Sequence, residues 1–313
     1  MSVASVAFVV HISGFGKHVR TAGRGRRDCC AMRLGLYQVV FSVLAVAEDE
    51  LSKLATKYGT DKVTHRYTHL YDRLFGGQRD TLRRFLEVGV YRGASMQMWR
   101  DYFTSAEVYG LDSFRNQLSV LKNTPACSLA YALRDDHNKG YNFSDLVLRG
   151  KLGSRLHVID ANQSDAAQMA AVVRDLGGGG PSQMMDLIVE DGSHIFRDQQ
   201  TNLAWLLPLV RPGGVYVIED ITSSSQPTYY KFAPANGTFS SDQTTLRVMQ
   251  HFNRTLHIKS KHLSAQECCY LDTWIASAEV IVTRGKTHSS LCVVRKRETP
   301  RPAGVCSAQR GER

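Results

Sequence analysis

Short apolar runs recur through the middle of the chain, separated by longer stretches such as "ASMQMWRDYFT" and "QQTNLAWLLPLV" that suit helices. Runs of this kind, rich in Val, Leu and Ile, are typical of strands buried on both faces of a sheet. Their alternation with helices predicts a Rossmann-like α/β fold, in which a doubly wound, mostly parallel sheet has helices on both faces. The predicted strands cover residues 85–88, 108–111, 156–159, 187–189 and 215–218.

Two further apolar runs lie near the C-terminus, at residues 280–282 and 291–294. They are joined through Gly285 and predict an antiparallel hairpin at one edge of the sheet. The segment "LVRPGG" (209–214) predicts a turn into the fifth strand. Residues 226–272 have weak periodicity, so we expect them to form an insertion on the substrate side of the domain.

Carboxylates follow the last two of the five predicted strands. The fourth strand runs into "VEDGSH" and the fifth into "VIED", which places Asp191, Glu219 and Asp220 at the carboxyl edge of the sheet, where α/β folds bind ligands. One such acid commonly caps a helix or turn, but three oxygen donors together suit an octahedral magnesium ion. His194 is the candidate general base, because imidazole exchanges protons near neutral pH. A structural turn histidine is the alternative.

The turn after the first predicted strand reads "LEVGVYRGAS", with Glu87, Gly89 and Gly93 spaced E-x-G-x-x-x-G. The glycines allow a sharp turn and a close approach by a ligand, because neither has a β-carbon. The acid would repel a phosphate, and the G-x-G-x-x-G loop of a nicotinamide dehydrogenase is absent. Asp112 ends the second strand, where a carboxylate can accept hydrogen bonds from a ribose diol. Together these residues resemble class I S-adenosylmethionine-dependent methyltransferases, which implies that they hold that cofactor.

The composition is that of a globular protein, with 43% hydrophobic and 22% charged residues among 313. The formal net charge is +10, but most of the excess lies at the two ends of the chain. Residues 1–47 carry six Lys or Arg against one acid, and residues 284–313 carry eight against two, so the middle is close to neutral. This distribution disfavours nucleic acid as a partner.

The N-terminal segment predicts a secretory signal. From Met32 a basic residue precedes an apolar run and then "AVAEDE", which resembles a signal peptide or a signal anchor, with residues 1–31 as an upstream extension. Four Asn-x-Ser/Thr sequons agree with that route; they lie at Asn142, Asn162, Asn236 and Asn253. We therefore expect a protein of the secretory pathway (endoplasmic reticulum or Golgi lumen, or secreted), with a cytoplasmic protein as the alternative. No stable transmembrane span is expected unless the signal stays uncleaved.

The remaining organisation follows from these boundaries. After residues 1–47, we expect a helical arm at 48–80, the main domain at 81–297 and a disordered basic tail at 298–313. The arm contains the motif "TDK", Thr60 to Lys62, which either caps the following helix or closes over the cofactor.

Five segments together resemble the sugar O-methyltransferases of macrolide antibiotic tailoring, of the mycinamicin 2''-O-methyltransferase type. They are "KYGTDKVTHRYTHLYDRLF", "FLEVGVYRGASMQMW", "VYGLDSF", "DLIVEDGSH" and "LVRPGGVYVIEDI". The resemblance covers roughly residues 55 to 225 and implies that His194 is the general base and that magnesium binds Asp191, Glu219 and Asp220. The family's "GDQSD" loop reads "ANQSD" here, so that Gln163 persists as a cofactor-binding candidate.

The sequence thus predicts a magnesium-dependent O-methyltransferase that acts on a hydroxyl, most simply of a sugar or a glycosylated natural product. Two other functions stay open at this point. The first is methylation of a catechol or another phenol, which also uses an Asp-rich magnesium site. The second is a non-catalytic relative that acts as a binding protein in the secretory pathway. The expected partner is a small-molecule or glycan acceptor, and a homo-oligomer is left open.

Overall fold

A sheet of eight strands forms the centre of the part of the chain that the structure describes. The computed structural model describes residues 49–91, 93–113, 147–148, 155–222, 243–283 and 289–302. The strand order is β3-β4-β2-β1-β5-β6-β8-β7. The strands are β1 Arg84–Val88, β2 Glu107–Asp112, β3 Val147–Leu148, β4 Leu156–Asp160, β5 Met185–Glu190, β6 Val210–Ile218, β7 Ile275–Val282 and β8 Ser290–Lys296.

The sheet is mostly parallel, as the alternating pattern predicts. Strands β4, β2, β1, β5 and β6 pair in parallel, whereas β3 is antiparallel to β4. Strands β7 and β8 form an antiparallel pair beyond β6, which confirms the predicted edge hairpin; its predicted turn at Gly285 lies outside the described residues. The order reverses between β1 and β5, and such a switch point opens a crevice at the carboxyl ends of the strands.

Helices cover both faces of this sheet, which confirms the predicted fold class. Helices α1 to α3 share one buried cluster, with Phe85 and Val189 from the sheet. Helices α4 to α7 share the other, with Ile188 and Tyr216. The described helices are α1 Glu50–Tyr58, α2 Tyr67–Phe75, α3 Ala94–Tyr102, α4 Ala166–Gly177, α5 Phe196–Leu206, α6 Thr245–Thr255 and α7 Ala265–Trp274.

The turn predicted for residues 209–214 is wrong, because most of this segment belongs to strand β6. The strand begins at Val210, which pairs with Met185, and the next pair joins Leu187 to Val215. Three more residues separate the pairs on β6 than on β5, so the register shifts there through an irregularity. Pro212 and Gly213 therefore make the first half of β6 irregular and do not separate it from the rest of the strand. Gly213 takes a left-handed φ of 70°.

The end of the predicted insertion is part of the core. Helix α6 buries Val248, Met249 and Phe252 against the sheet, so residues 243–272 contribute to the core; residues 226–242 lie outside the described residues. The placement of this insertion on the substrate side stays a prediction. The predicted disordered tail also begins too early at residue 298. The Arg301 guanidinium donates to the Leu256 carbonyl at 3.2 Å, and the Arg301 backbone N–H donates to Thr273 O. Residues 303–313 lie outside the described part.

Candidate active site

The period-two alternation of the strands places three carboxylates on one face of the sheet. Val189 faces helices α1 to α3, and so does Val217 in the neighbouring strand. Two residues further along, Asp191 and Glu219 continue those rows past the strand ends. Glu87 pairs with Val189 in register, one row below. The three acids therefore meet beneath the N-terminal arm.

Lys62 of the TDK motif lies among these carboxylates. Its Nζ donates to Asp191 Oδ2 at 2.8 Å and to Glu219 Oε1 and Oε2 at 2.8 and 2.9 Å. Glu87 Oε1 is 3.3 Å from the same nitrogen. Burial alone would lower the pKa of Lys62, but Asp191, Glu219 and Glu87 outweigh it and hold the pKa well above its usual value. Lys62 is thus a permanent buried cation.

Two tyrosines of α2 donate hydrogen bonds to Glu219 and to Asp220. Tyr71 Oη donates to Glu219 Oε1 at 2.6 Å, and Tyr67 Oη donates to Asp220 Oδ1 at 2.5 Å. Residues four apart lie on one helix face, so both phenols reach the same edge of the sheet. Burial, followed by the neighbouring carboxylate, raises the pKa of each tyrosine, Asp220 acting on Tyr67 and Glu219 on Tyr71. Both therefore stay protonated donors.

Glu87 is enclosed in the core instead of facing a ligand. Its side chain is fully buried and accepts hydrogen bonds from Ser95 Oγ at 2.7 Å and Trp99 Nε1 at 3.2 Å. Burial raises the pKa of Glu87, and Lys62 opposes that rise. The cation beside Glu87 is the ammonium group of Lys62. Its predicted contact with the cofactor stays a prediction, and neither of the cavities described below is lined by Glu87.

Asp191, His194 and Asp220 come together as a candidate metal site. Each offers one ligand atom, and these atoms lie within 4.8 Å of one another. Two carboxylates with room for water and substrate oxygens suit magnesium, so the residues fit the predicted ion. Glu219, the third predicted ligand, is 2% exposed and lies on Lys62 and Tyr71. Its role as a ligand stays a prediction.

The backbone at this site is strained. His194 and Asp220 have φ values of 57° and 49°, in the left-handed region that L-residues adopt at a cost. Tyr91, at φ 48°, also lies beside them. Such strain persists only where the surrounding structure enforces it, and it concentrates at functional sites.

A cavity of about 670 Å³ opens directly above the candidate metal site. The acidic floor is formed by Asp191 and Asp220, with His194 at its side. Its rim comes from the arm and from α3. The rim residues include Lys57, Tyr58, Thr60, Asp61 and Gln97.

A second cavity, of about 510 Å³, adjoins the first across Gly89, Tyr91 and Gly192. It is lined by Asp112 and Gln163, two of the predicted cofactor residues. The two cavities meet at the switch point between β1 and β5, so a ligand in one can present a group to a ligand in the other.

The predicted cofactor residues differ in what they do. Asp112 Oδ2 accepts from the backbone N–H groups of Val90 and Tyr91 at 2.9 and 3.0 Å, which fixes the glycine turn. Gly89 has a φ of 96°, and a β-carbon there would lie 2.1 Å from Asp191 O. Gly93, at φ 75°, precedes α3 and lines neither described cavity.

Gln163 carries an unsatisfied buried donor. Its Nε2 has no hydrogen-bond partner among the described residues, although Gln163 lines the second cavity. A buried unpaired donor is costly, so the position calls for an acceptor from a ligand or a water. A nucleoside base would supply such an acceptor.

The fold and the arrangement of the site resemble those of methyltransferases. The chain aligns with the MycE methyltransferase of the mycinamycin biosynthetic pathway, solved in complex with Mg and SAH, at a TM-score of 0.53 and 26% identity. That alignment covers 80% of this chain and 55% of the other. The model of the methyltransferase domain family matches residues 86–221. The predicted resemblance to S-adenosylmethionine-dependent methyltransferases is thereby confirmed.

Curated relatives are sugar O-methyltransferases by name. At 30% identity over 189 residues, the chain is similar to 8-demethyl-8-(2-methoxy-alpha-L-rhamnosyl)-tetracenomycin-C 3'-O-methyltransferase of Streptomyces olivaceus. It is equally similar to mycinamicin VI 2''-O-methyltransferase of Micromonospora griseorubida. Each match covers 58% of this chain, which spans only 39% and 38% of the two proteins.

The predicted secretory location is wrong. The relatives are natural-product methyltransferases from Streptomyces and Micromonospora, bacteria that have no endoplasmic reticulum or Golgi apparatus. The predicted signal, residues 32–47, lies outside the described residues. Among the helices that the structure does describe, none has the length and apolar character needed to cross a membrane.

Sequence reasoning singled out the TDK motif but missed that Lys62, Tyr67 and Tyr71 bind the carboxylates of the site. The segment "TDKVTHRYTHLY" contains all of them, and a lysine and two tyrosines in an arm outside the sheet were the available signal. Lys62 contacts residues 129 and 157 positions further along the chain, which no local pattern reveals.

Proposed function

We propose that this protein is a magnesium-dependent O-methyltransferase that moves a methyl group from S-adenosylmethionine to a hydroxyl group of a sugar or glycosylated small molecule. The observation that carries the proposal is the convergence of Asp191, His194 and Asp220 on the floor of a cavity that adjoins a second, nucleoside-sized cavity. The named activities of the relatives, and the Mg and SAH bound in the solved MycE structure, support the same reaction.

The methyl donor fits the second cavity. Asp112 lines this cavity and can accept from the ribose diol, and Gln163, which also lines it, has a buried Nε2 donor that a base acceptor would satisfy. Gly89 lies at the junction of the cavities, so a sulfonium there would face the candidate base. The acidic floor favours a positively charged sulfur.

His194 and the two aspartates would activate the acceptor hydroxyl in different ways. Asp191 and Asp220 would hold Mg²⁺, which when bound acts as a Lewis acid on the acceptor hydroxyl. His194 lies beside that position and accepts the hydroxyl proton as the oxygen attacks. The new bond joins the oxygen to the methyl carbon, the carbon–sulfur bond breaks, and its electron pair stays on sulfur. Alignment of the three atoms by the two cavities supplies much of the rate.

The rim of the first cavity favours a hydroxyl-rich acceptor. Lys57, Asp61 and Gln97 line it, and Lys57 Nζ donates to Tyr58 Oη at 2.8 Å. Several polar donors and acceptors suit a sugar ring better than a phenol, because each sugar hydroxyl requires a partner. The relatives named for rhamnosyl and mycinamicin substrates support the sugar class.

The proposal is tested by binding and by transfer. Wild type is expected to bind S-adenosylmethionine in calorimetry and to methylate a rhamnosyl or related deoxysugar acceptor only when magnesium is present. In Asp191→Asn and Asp220→Asn, magnesium binding and transfer should be lost while the methyl donor still binds. Metal-independent transfer by wild type, or methylation of catechol in preference to every sugar tried, would contradict the proposal.

A separate prediction concerns Gln163. Replacing it with alanine removes the unpaired donor of the second cavity, and S-adenosylmethionine affinity should fall about three- to tenfold, the usual worth of one hydrogen bond. Calorimetric titration measures the change. Gln250→Ala, on the outer face of α6, serves as the control and should leave affinity unaltered. Equal affinities for wild type and Gln163→Ala would remove Gln163 from the cofactor site.

A further inference from the structure

A buried carboxylate, that of Asp198, joins the loop after β4 to the loop after β5. Asp198 lies in the first turn of α5, and its side chain is 1% exposed. Its Oδ2 accepts from Ser164 Oγ at 2.7 Å and from Ser193 Oγ at 2.9 Å. Its Oδ1 accepts from Nε and Nη2 of Arg197 at 3.0 and 2.9 Å. Hydrogen bonds to a charged acceptor are stronger than neutral ones, so Asp198 fixes both serines firmly.

Both loops line the cavity proposed for the methyl donor. Ser164, Ser193 and Asp198 all contribute to the wall of the second cavity. Ser164 directly follows Gln163, whose buried Nε2 is the proposed donor to a nucleoside base. The two loops also touch, because a β-carbon added at Gly192 would lie 1.9 Å from Gln163 Oε1. The position of Gln163 in the cavity therefore depends on where the loop after β5 lies.

The same carboxylate acts on the turn that carries His194. Ser193 Oγ, which donates to Asp198, also accepts from the Ile195 N–H at 3.2 Å. A serine hydroxyl that binds the N–H two residues ahead forms a turn, and His194 is the middle residue of this one, at φ 57°. Ser193 and Ile195 line the second cavity whereas His194 lines the first, so the turn passes from one cavity to the other. A left-handed conformation persists only where its surroundings enforce it, and the bond to Asp198 is part of that constraint.

We infer that Asp198 is a positioning residue that fixes the loop of the methyl donor through Ser164 and the orientation of His194 through Ser193. The inference rests on the proposed function, in which His194 takes the proton of the acceptor hydroxyl. Both serine hydroxyls are held by the same carboxylate oxygen, so the donor loop and the turn of the base keep one relative position. Methyl transfer requires this, because the nucleophile, the methyl carbon and the sulfur must be collinear when they react.

The test separates donor affinity from transfer rate in two serine variants of the full chain. Ser164→Ala removes the link to the donor loop, so the Kd of S-adenosylmethionine should rise about three- to tenfold, with kcat at saturating donor within about twofold of wild type. Ser193→Ala releases the turn of the base, so kcat for methylation of a rhamnosyl acceptor should fall about tenfold or more. Its Kd should stay within about twofold of wild type, because the Ser164 bond remains. Calorimetry and single-turnover kinetics measure the two quantities.

Replacing the carboxylate itself should combine the two effects. Asp198→Ala should raise the Kd and lower kcat, because both serines lose their acceptor. Adding Ser193→Ala to Asp198→Ala should lower kcat by less than about twofold further, since the serine acts through the carboxylate. A further tenfold loss in the double variant would show that Ser193 acts independently of Asp198, and it would overturn the inference. Asp175→Ala, in an Arg–Asp pair on the outside of α4, is the matched control and should leave Kd and kcat unaltered.

A purely structural carboxylate predicts a different pattern. The serine variants and Asp198→Ala would then unfold at lower urea concentration, with the Kd and kcat of the folded protein unchanged, and that result overturns the inference. If Asp198→Ala does not fold, the opposite effects of the two serine variants decide the question, because each removes a single hydroxyl group. Wild type that binds no S-adenosylmethionine would refute the proposed function and the inference with it. Wild type that binds the donor but methylates no sugar would refute the proposed function alone, and the Kd of Ser164→Ala would still test the link to the donor loop.

Discussion

Replacing His194 with asparagine should lower kcat for methyl transfer by about 10²- to 10⁴-fold, the usual contribution of a general base. Asparagine tolerates the left-handed backbone of this position, at φ 57°, better than alanine does, so the fold should be retained. It cannot take the proton of the acceptor hydroxyl. S-adenosylmethionine affinity should stay near that of wild type, because His194 lines only the first cavity. Single-turnover kinetics and calorimetry measure the two quantities.

A matched control separates the loss of the base from a general effect of changing a histidine. His251→Asn, on α6 and away from both cavities, should transfer methyl groups at the wild-type rate. If His194→Asn retains more than about a tenth of wild-type kcat, the proton goes elsewhere and His194 is a structural turn residue. A lowered metal affinity with unchanged transfer at saturating magnesium would make it a ligand.

The fold was predictable because it depends on local patterns. Each predicted strand run lies within a strand of the sheet, since buried parallel strands must be apolar throughout. The carboxyl edge followed from the same reasoning, because residues that end parallel strands share one edge. The irregular start of β6 was not predictable, since Pro212 and Gly213 favour a turn and only the pairing with β5 keeps them in a strand.

The sequence indicated which acids lie at the carboxyl edge of the sheet, but not which of them pair with a cation of the protein itself. Acids at strand ends indicate a cation, and Asp191 and Asp220 do line the cavity as a metal site requires. Sequence alone does not tell which acid meets the protein's own cation. Glu87 and Glu219 do so, and they are buried because Lys62 and the donors of Trp99 and Tyr71 satisfy them. That partition depends on long-range contacts of the arm.

The arm explains why the domain begins before the first strand. A sheet edge with three acids in close proximity would repel itself, and Lys62, Tyr67 and Tyr71 offset that repulsion from α2 and the turn before it. Burial raises the pKa of Glu219 well above its usual value, with Asp191 acting in the same direction and Lys62 opposing both. The arm therefore both fixes the acids and covers them.

Replacing Gly89 with alanine should destabilise the protein by about 3 kcal/mol or more, through two additive causes. The residue has a φ of 96°, which an alanine adopts only at a cost. Its β-carbon would also lie 2.1 Å from Asp191 O and 2.6 Å from Asp191 C, both backbone atoms that cannot rotate away. The loop after β5 must then move, and Asp191 moves with it, so metal binding should weaken as well. Urea unfolding and Mn²⁺ titration measure the two losses.

Two other glycines of the chain separate these causes. At Gly59 the φ is 74° but nothing lies within 4 Å of an added β-carbon, so Gly59→Ala should show only the backbone cost, about 1 kcal/mol. Gly77 has neither a left-handed φ nor a neighbour within 4 Å, and Gly77→Ala should be neutral or slightly stabilising. If Gly89→Ala is no less stable than Gly59→Ala, the close approach of the two loops is not what requires glycine. If it is much less stable, the contact between the turn at Gly89 and the loop at Asp191 couples the two cavities, because neither segment can shift without the other.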